Sequence, residues 1–232
     1  MLDARIDIQM SRTHHRPVAQ GRVSDVQALT FSFVLCLASM LMLWFIINPL
    51  TAVLTFVSLI GYAVIYTVFL KRATPQNIVI GGAAGAAPPV LGWTSVTGEI
   101  HSDALLLFLI IFTWTPPHFW ALAIAKIEDY ERVGIPMLPI THGEKFTRRH
   151  ILLYTVLMLI VTVIPYLTGM SGLIYLVAAI GLGARFLWYA VRMQRDMDKH
   201  LPMQVFRFSI SYLMFLFAAL LIDHYFIIRL TL

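Results

Sequence analysis

Ala104-Leu-Leu-Leu-Phe-Leu-Ile-Ile-Phe-Thr-Trp114-Thr-Pro-Pro-His118-Phe-Trp-Ala-Leu-Ala-Ile-Ala125 is followed at once by Lys126-Ile-Glu128-Asp129-Tyr130-Glu131-Arg132. The first stretch contains no Asp, Glu, Lys or Arg, and at about 1.5 Å per helical residue it crosses a hydrocarbon core of roughly 30 Å. The second is crowded with charge. So abrupt a change reads as a membrane helix ending at a polar mouth. Working outward, further apolar windows of spanning length fall at about 26–47, 49–70, 77–97, 150–170, 172–192 and 207–230. Seven spans are therefore expected, forming an all-α integral membrane bundle in a single domain over residues 1–232.

Composition agrees. The 232 residues are 59% hydrophobic and 12% charged, and the mean hydropathy is +0.79, too little polar surface to cover a soluble domain. The Lys and Arg residues collect in four groups: Arg5 to Arg22, Lys71-Arg72, Lys126 to Arg149 and Arg192 to Arg207. Only Arg185 and Arg229 of the 17 lie elsewhere. The intervening turns, Asn48-Pro49, Thr97 to Asp103 and Met170 to Gly172, carry none, so the basic segments are assigned to the cytoplasm. The net charge of +5 is divided among short loops without a continuous stripe, which argues against nucleic acid and for contact with an anionic bilayer surface. Cys36 is the single cysteine, so neither a disulfide framework nor a thiolate metal site is available within this chain. Met1 is followed by Leu-Asp-Ala-Arg-Ile-Asp, with no apolar core of a signal peptide and no transit-peptide pattern.

Two spans carry paired prolines. Pro88-Pro89 follow the small-residue run Gly81-Gly-Ala-Ala-Gly-Ala-Ala87, and Pro116-Pro117 immediately precede His118. Small residues allow close helix approach, and prolines at membrane depth free backbone carbonyls that need a protein-lined or wet surrounding. The fourth span is thus expected to be broken there and to line an internal cavity.

The candidate chemistry clusters beside these spans. Asp3 and Asp7, four apart, would share one helix face and one divalent ion. Arg12-Thr13-x-x-Arg16-Pro17 offers guanidinium forks for phosphate oxygens. Asp129 lies on nearly the same face as His118 if the helix continues, about 16 Å farther along. Glu128 and Glu131 add negative charge, while Lys126 and Arg132 neutralise a bound anion. Two separated acidic patches suit Mg²⁺, which prefers hard oxygens and is commonly shared with substrate phosphates. Within the membrane, His118 is open to three roles: haem-iron ligand, general base, or hydrogen-bond partner of a carbonyl freed by proline. Trp114 and Thr115 would wall the cavity, Trp114 offering π-density to a developing cation. Trp93, Trp120, Tyr62 and Tyr66 suit either that wall or an interfacial belt. Asp223 and His224, near the outer end of the last span, are expected to serve an interfacial role at a helix end.

The motifs Asp3-x-x-x-Asp7-x-x-Met10-x-Arg12-Thr13-x-x-Arg16-Pro17, Lys71-Arg72-x-Thr74-Pro75-Gln76-Asn77 through Gly92-Trp93, and Trp114-Thr-Pro-Pro-His118-Phe-Trp with Asp129-Tyr130-x-x-x-Gly134-Ile-Pro-Met-Leu-Pro139 resemble the haem O synthases. These are the protoheme IX farnesyltransferases among the UbiA-type prenyltransferases. The likeness is dense from residue 3 to about 143 and looser beyond, through Arg207-x-x-x-Ser211-Tyr212-Leu213. It implies a nine-helix fold, with the family's first two helices and an Asn before the first Asp lying upstream, so the chain is expected to be N-terminally shortened.

The resemblance also implies transfer of farnesyl from farnesyl diphosphate to a vinyl group of haem b. Asp3, Asp7, Asp129 and Glu128 would hold Mg²⁺, and Arg12, Arg16, Lys71, Arg72, Lys126 and Arg132 the diphosphate. His118 and Trp114 would bind haem. Val133 stands four after Asp129 where the wider superfamily has a second Asp. A bacterial inner-membrane location follows, with haem A synthase or a terminal oxidase as candidate partners. The competing readings are a quinone-pathway prenyltransferase and a non-catalytic membrane subunit or transporter.

Overall fold

The computed structural model describes residue 8, residues 13–70 and residues 73–226. Asp3, Asp7, Arg12, Lys71 and Arg72 lie outside the described residues, so their expected roles are not tested by it. The described residues are mainly helical and form no strand.

The helices follow their local signals. Helix α1 (Asp25–Met42, continued by a π-helical turn Leu43–Ile47) starts at a capping box. The Ser24 hydroxyl accepts from Gln27 N–H at 3.3 Å, and Gln27 Oε1 accepts from Ser24 N–H at 3.0 Å. Helix α2 (Pro49–Ile60, continued as a π-helix through Gly61–Leu70) has Asn48 as its cap and Pro49 in the first turn, where a missing N–H costs nothing. Asn48 Nδ2 also donates to Thr94 O at 2.8 Å, pinning the start of α2 to a later helix.

The third apolar window is two half-helices, α3 (Asn77–Ala86) and α4 (Pro88–Thr97). Pro88 and Pro89 occupy the first turn of α4, so the predicted third span is an interrupted one. The remaining windows become α5 (Ser102–Ala125), α8 (Glu144–Leu167), α9 (Leu173–Arg195) and α10 (Leu201–Tyr225). Two short helices, α6 (Ile127–Arg132) and α7 (Leu138–Thr141), lie between α5 and α8. Among the described residues, six helices are long and apolar enough to cross a membrane, and the half-helices supply the seventh stretch. Helices α8 and α10 begin about six residues before their apolar windows, because intrahelical hydrogen bonds, unlike hydropathy, continue into the polar zone.

The fourth span is not broken at Pro116-Pro117: α5 runs unbroken from Ser102 to Ala125. The two prolines remove only the hydrogen bonds to the carbonyls of Phe112 and Thr113. Both rings are buried among neighbouring helices, which hold the axis. Helix α5 is the hub, packing against α3, α4, α8 and α10.

Helix α9 is clamped at both ends by charge. At its start the buried Asp223 carboxylate of α10 accepts from Gly172 N–H and, at 3.2 Å, from Tyr175 N–H. At its end the buried Arg148 of α8 donates to Met193 O at 2.6 Å and Asp196 O at 2.7 Å, and it pairs with Glu144 at 2.6 Å. An anion at the N-terminus and a cation at the C-terminus complement the helix dipole. Asp223 is therefore not the interfacial helix-end group expected of it: it is buried, and the helix it caps is its neighbour.

Candidate active site

A cavity of about 780 Å³ opens between the N-terminal turns, α2 with its π-helical extension, α3, α5 and the α6–α7 connection. Its size is that of a typical small-molecule site. The walls are aromatic: Tyr62, Tyr66, Trp114 and Phe119 all line it. Tyr62 and Tyr66 stack with ring centroids 5.3 Å apart. Tyr66 lies where it does because α3 presents Gly81 to it; a Cβ there would fall 2.3 Å from the Tyr66 ring. Gly82 similarly admits Thr115, whose Cγ2 would be 2.9 Å from an added Cβ.

Thr13 and Arg16 from the N-terminal turns also line the cavity, together with Tyr130, Ile135 and Met137 from the segment after α5. That segment folds back on a left-handed glycine, Gly134 at φ 66°. Gly134 N–H donates to Glu131 O at 3.1 Å and Ile135 N–H donates to Tyr130 O at 3.2 Å, bringing Ile135 and Met137 to the opening. Asp129 is half-buried beside Tyr130, whereas Lys126, Glu128 and Arg132 are exposed. Among the described residues no three His, Cys, Asp or Glu side chains group closely enough to hold a metal ion.

The expected alignment of Asp129 above His118 is not formed. Helix α5 ends at Lys126, whose backbone (φ −126°, ψ 29°) leaves the helix, and Asp129 belongs to the separate α6. Nor does His118 line the cavity. It is 7% exposed and sits behind the Trp114 wall, against α10. Its ring is sandwiched by Trp114 at 4.2 Å and Phe206 at 4.6 Å, with Phe119 edge-on at 4.8 Å. Its Nδ1 is 2.6 Å from Ser209 Oγ. Of the carbonyl-binding, base and ligand roles open to His118, the structure shows a hydroxyl partner at one nitrogen.

The remaining aromatic residues divide. Tyr62 and Tyr66 belong to the cavity, but Trp120 is fully buried and packs edge-on to Tyr154 at 5.2 Å. Trp93 stacks on His101 at 5.3 Å, away from the cavity lining. Sequence reasoning passed over Ser209 and the cavity role of Tyr130. A serine inside an apolar span, with Ser211 and Tyr212 close behind it, and a tyrosine beside an acidic pair were the available signals.

The overall fold of this helical bundle is shared with solved structures. The chain overlays the structure of a digeranylgeranylglyceryl phosphate synthase with a TM-score of 0.78, at 20% identity, covering 96% of this chain and 77% of that one. A UbiA homologue from Archaeoglobus fulgidus, bound to GPP and Mg²⁺, gives a TM-score of 0.56 at 13% identity, covering 94% and 80%. The profile of the UbiA prenyltransferase family matches residues 1–220. The chain belongs to the UbiA prenyltransferase family. Within that family it is 60% identical to the protoheme IX farnesyltransferase of Hahella chejuensis, over 97% of this chain and 75% of the relative. It is 59% identical to the protoheme IX farnesyltransferase of Methylococcus capsulatus, over 98% and 76%. In this UbiA family member the aromatic cavity and its polar opening are therefore the candidate active site.

Proposed function

We infer that the chain transfers the farnesyl group of farnesyl diphosphate to a vinyl group of haem b, with addition of water and release of diphosphate, giving haem O. The observation that carries this reading is the 60% identity, held over 97% of the chain, to a relative named protoheme IX farnesyltransferase. The cavity supports it. An isoprenoid needs a long apolar slot with anion-binding groups at one end, and Tyr62, Tyr66, Trp114 and Phe119 with Arg16 at the opening supply that arrangement.

In this reading Arg16, joined by Arg12, Lys71, Arg72, Lys126 and Arg132, binds the diphosphate and stabilises the charge that develops as the carbon–oxygen bond breaks. The aromatic faces flank the allylic cation and keep water from it until a vinyl carbon of haem has added. Trp114 and His118 orient the macrocycle, His118 by facing the haem iron. Water then captures the cation on the haem side and loses a proton.

The half-buried Asp129 beside the opening is a hard oxygen donor of the type Mg²⁺ takes, and one or two carboxylates with substrate phosphates suffice for that ion. Asp129, with Glu128, Asp3 and Asp7, would hold Mg²⁺, which when bound neutralises the departing diphosphate. Flanked by basic loops, this opening would face the cytoplasm at a bacterial inner membrane, where a haem A synthase or terminal oxidase would take up the product.

The test is to incubate the purified chain with haem b, farnesyl diphosphate and Mg²⁺ and weigh the extracted haem. Haem heavier by farnesyl plus water, absent when Mg²⁺ is chelated, is expected. Unchanged haem, with farnesyl transferred instead to a phenolic acid, would replace this reading with quinone-precursor prenylation.

A further inference from the structure

The hydrogen bonds around Ser209 fix more than a contact. Ser209 Oγ lies 2.6 Å from His118 Nδ1 and 2.6 Å from Phe206 O. A hydroxyl has one proton, and a carbonyl can only accept, so the serine proton goes to Phe206 O. The short contact to His118 is then a hydrogen bond only if Nδ1 carries a proton and donates it to Oγ. With a bare Nδ1, two acceptors would face each other at 2.6 Å in a buried place, an arrangement that costs a full unmade hydrogen bond.

The rest of the surroundings locks this pairing. Ser209 is fully buried. Trp114 Nε1 donates to Ser209 O at 2.9 Å, so one residue of α10 receives two consecutive turns of α5. The stacking of Trp114 and Phe206 on the two faces of the imidazole leaves only its edges for polar contact. One edge is taken by Ser209. Neutral His118 must then have a bare Nε2, the tautomer required of a nitrogen that ligates iron.

We propose that Ser209 is a positioning residue for the haem substrate: it holds His118 as the Nδ1–H tautomer and so reserves Nε2 for the haem iron. The proposal rests on the haem reading above but has a readout of its own. In the full chain, with ¹⁵N-labelled histidine and His118 assigned by comparison with His118→Gln, nitrogen NMR separates protonated from bare ring nitrogens. The native protein gives a protonated Nδ1 and a bare Nε2, and Ser209→Ala introduces the other tautomer. Because the Trp114 bond goes to the main chain, Ser209→Ala keeps the α5–α10 contact. Spectral titration with haem b alone shows affinity about tenfold weaker in Ser209→Ala, in keeping with second-layer partners of metal ligands, and no further loss when Ser209→Ala is added to His118→Gln.

A bare Nδ1 in the native protein overturns the proposal, as does a tautomer or haem affinity unchanged by Ser209→Ala. Native haem affinity in His118→Gln overturns it as well. A protein that shows the expected tautomer and haem titrations, yet never farnesylates haem, retains this proposal and loses the reaction instead.

Discussion

The two halves of this bundle are built to different densities. In α5 more than half of the most apolar stretch, 56%, is buried inside the protein, and α8, α9 and α10 bury between 28% and 33% of theirs. The corresponding stretches of the first two crossings, Asp25–Ile47 and Pro49–Leu70, bury none. The packed half contains the clamped α9 and a continuous core of Ile110, Met158, Phe186 and Tyr212. The open half contains the cavity, walled on one side by a π-helical segment and on the other by glycines. The difference separates two tasks. A dense scaffold holds His118 and Trp114 at fixed angles, while a thinner wall leaves room for a long flexible substrate.

That contrast can be broken first in the scaffold. Asp223→Ala removes a buried carboxylate and leaves the N–H groups of Gly172 and Tyr175 without an acceptor, costing about 3 kcal/mol. The check is thermal or denaturant unfolding of the detergent-solubilised protein. A loss below about 1 kcal/mol would show that the α9 clamp is not what makes this half rigid. The open half answers through kinetics. Arg16→Ala removes one charge-assisted contact to diphosphate, worth about 2 kcal/mol, so kcat/KM for farnesyl diphosphate is expected to fall about thirtyfold with little change in unfolding.

A matched pair sharpens the comparison further. A Cβ at Gly81 would meet the Tyr66 ring at 2.3 Å, and one at Gly183 would meet Leu159 Cδ1 at the same distance. Overpacking typically costs about 1–3 kcal/mol. Gly183→Ala, between α8 and α9, is expected to lower stability by that amount and leave KM alone. Gly81→Ala is expected to push Tyr66 into the cavity, raising KM for farnesyl diphosphate severalfold with a smaller stability loss. Equal behaviour of the two variants would remove the distinction between the halves. The smallest effect belongs to Arg192→Ala. Its pair with Asp196 is exposed and 3.4 Å long, so unfolding should change by less than about 1 kcal/mol.

Hydropathy made the long crossings legible, since helices in a hydrocarbon core must be apolar for a fixed length. It did not distinguish the two proline pairs. Pro88-Pro89 divide a crossing, whereas Pro116-Pro117 lie inside a helix whose neighbours bury both rings. The same dipeptide has two outcomes because packing across the bundle, absent from local sequence, decides. The capping of α9 was hidden for a related reason: Asp223 and Arg148 reach partners some 45 to 51 residues away, and no periodicity records such pairs. At the site, Trp114 was legible as a cavity wall and Asp129 as an acidic group near its opening. The place of His118 behind that wall was not, because it depends on Ser209 and Phe206 of a helix some ninety residues later. Placing Asp129 on the His118 face failed because the helix ends at Lys126.

The most direct test of a division between scaffold and cavity is photoaffinity labelling with a diazirine-bearing farnesyl diphosphate analogue, with the adducts mapped by mass spectrometry. The account predicts adducts at Tyr62, Tyr66, Trp114 or Phe119 that disappear when unlabelled farnesyl diphosphate competes. Competed adducts confined to the α8–α10 side, at residues such as Phe186 or Tyr212, would contradict it.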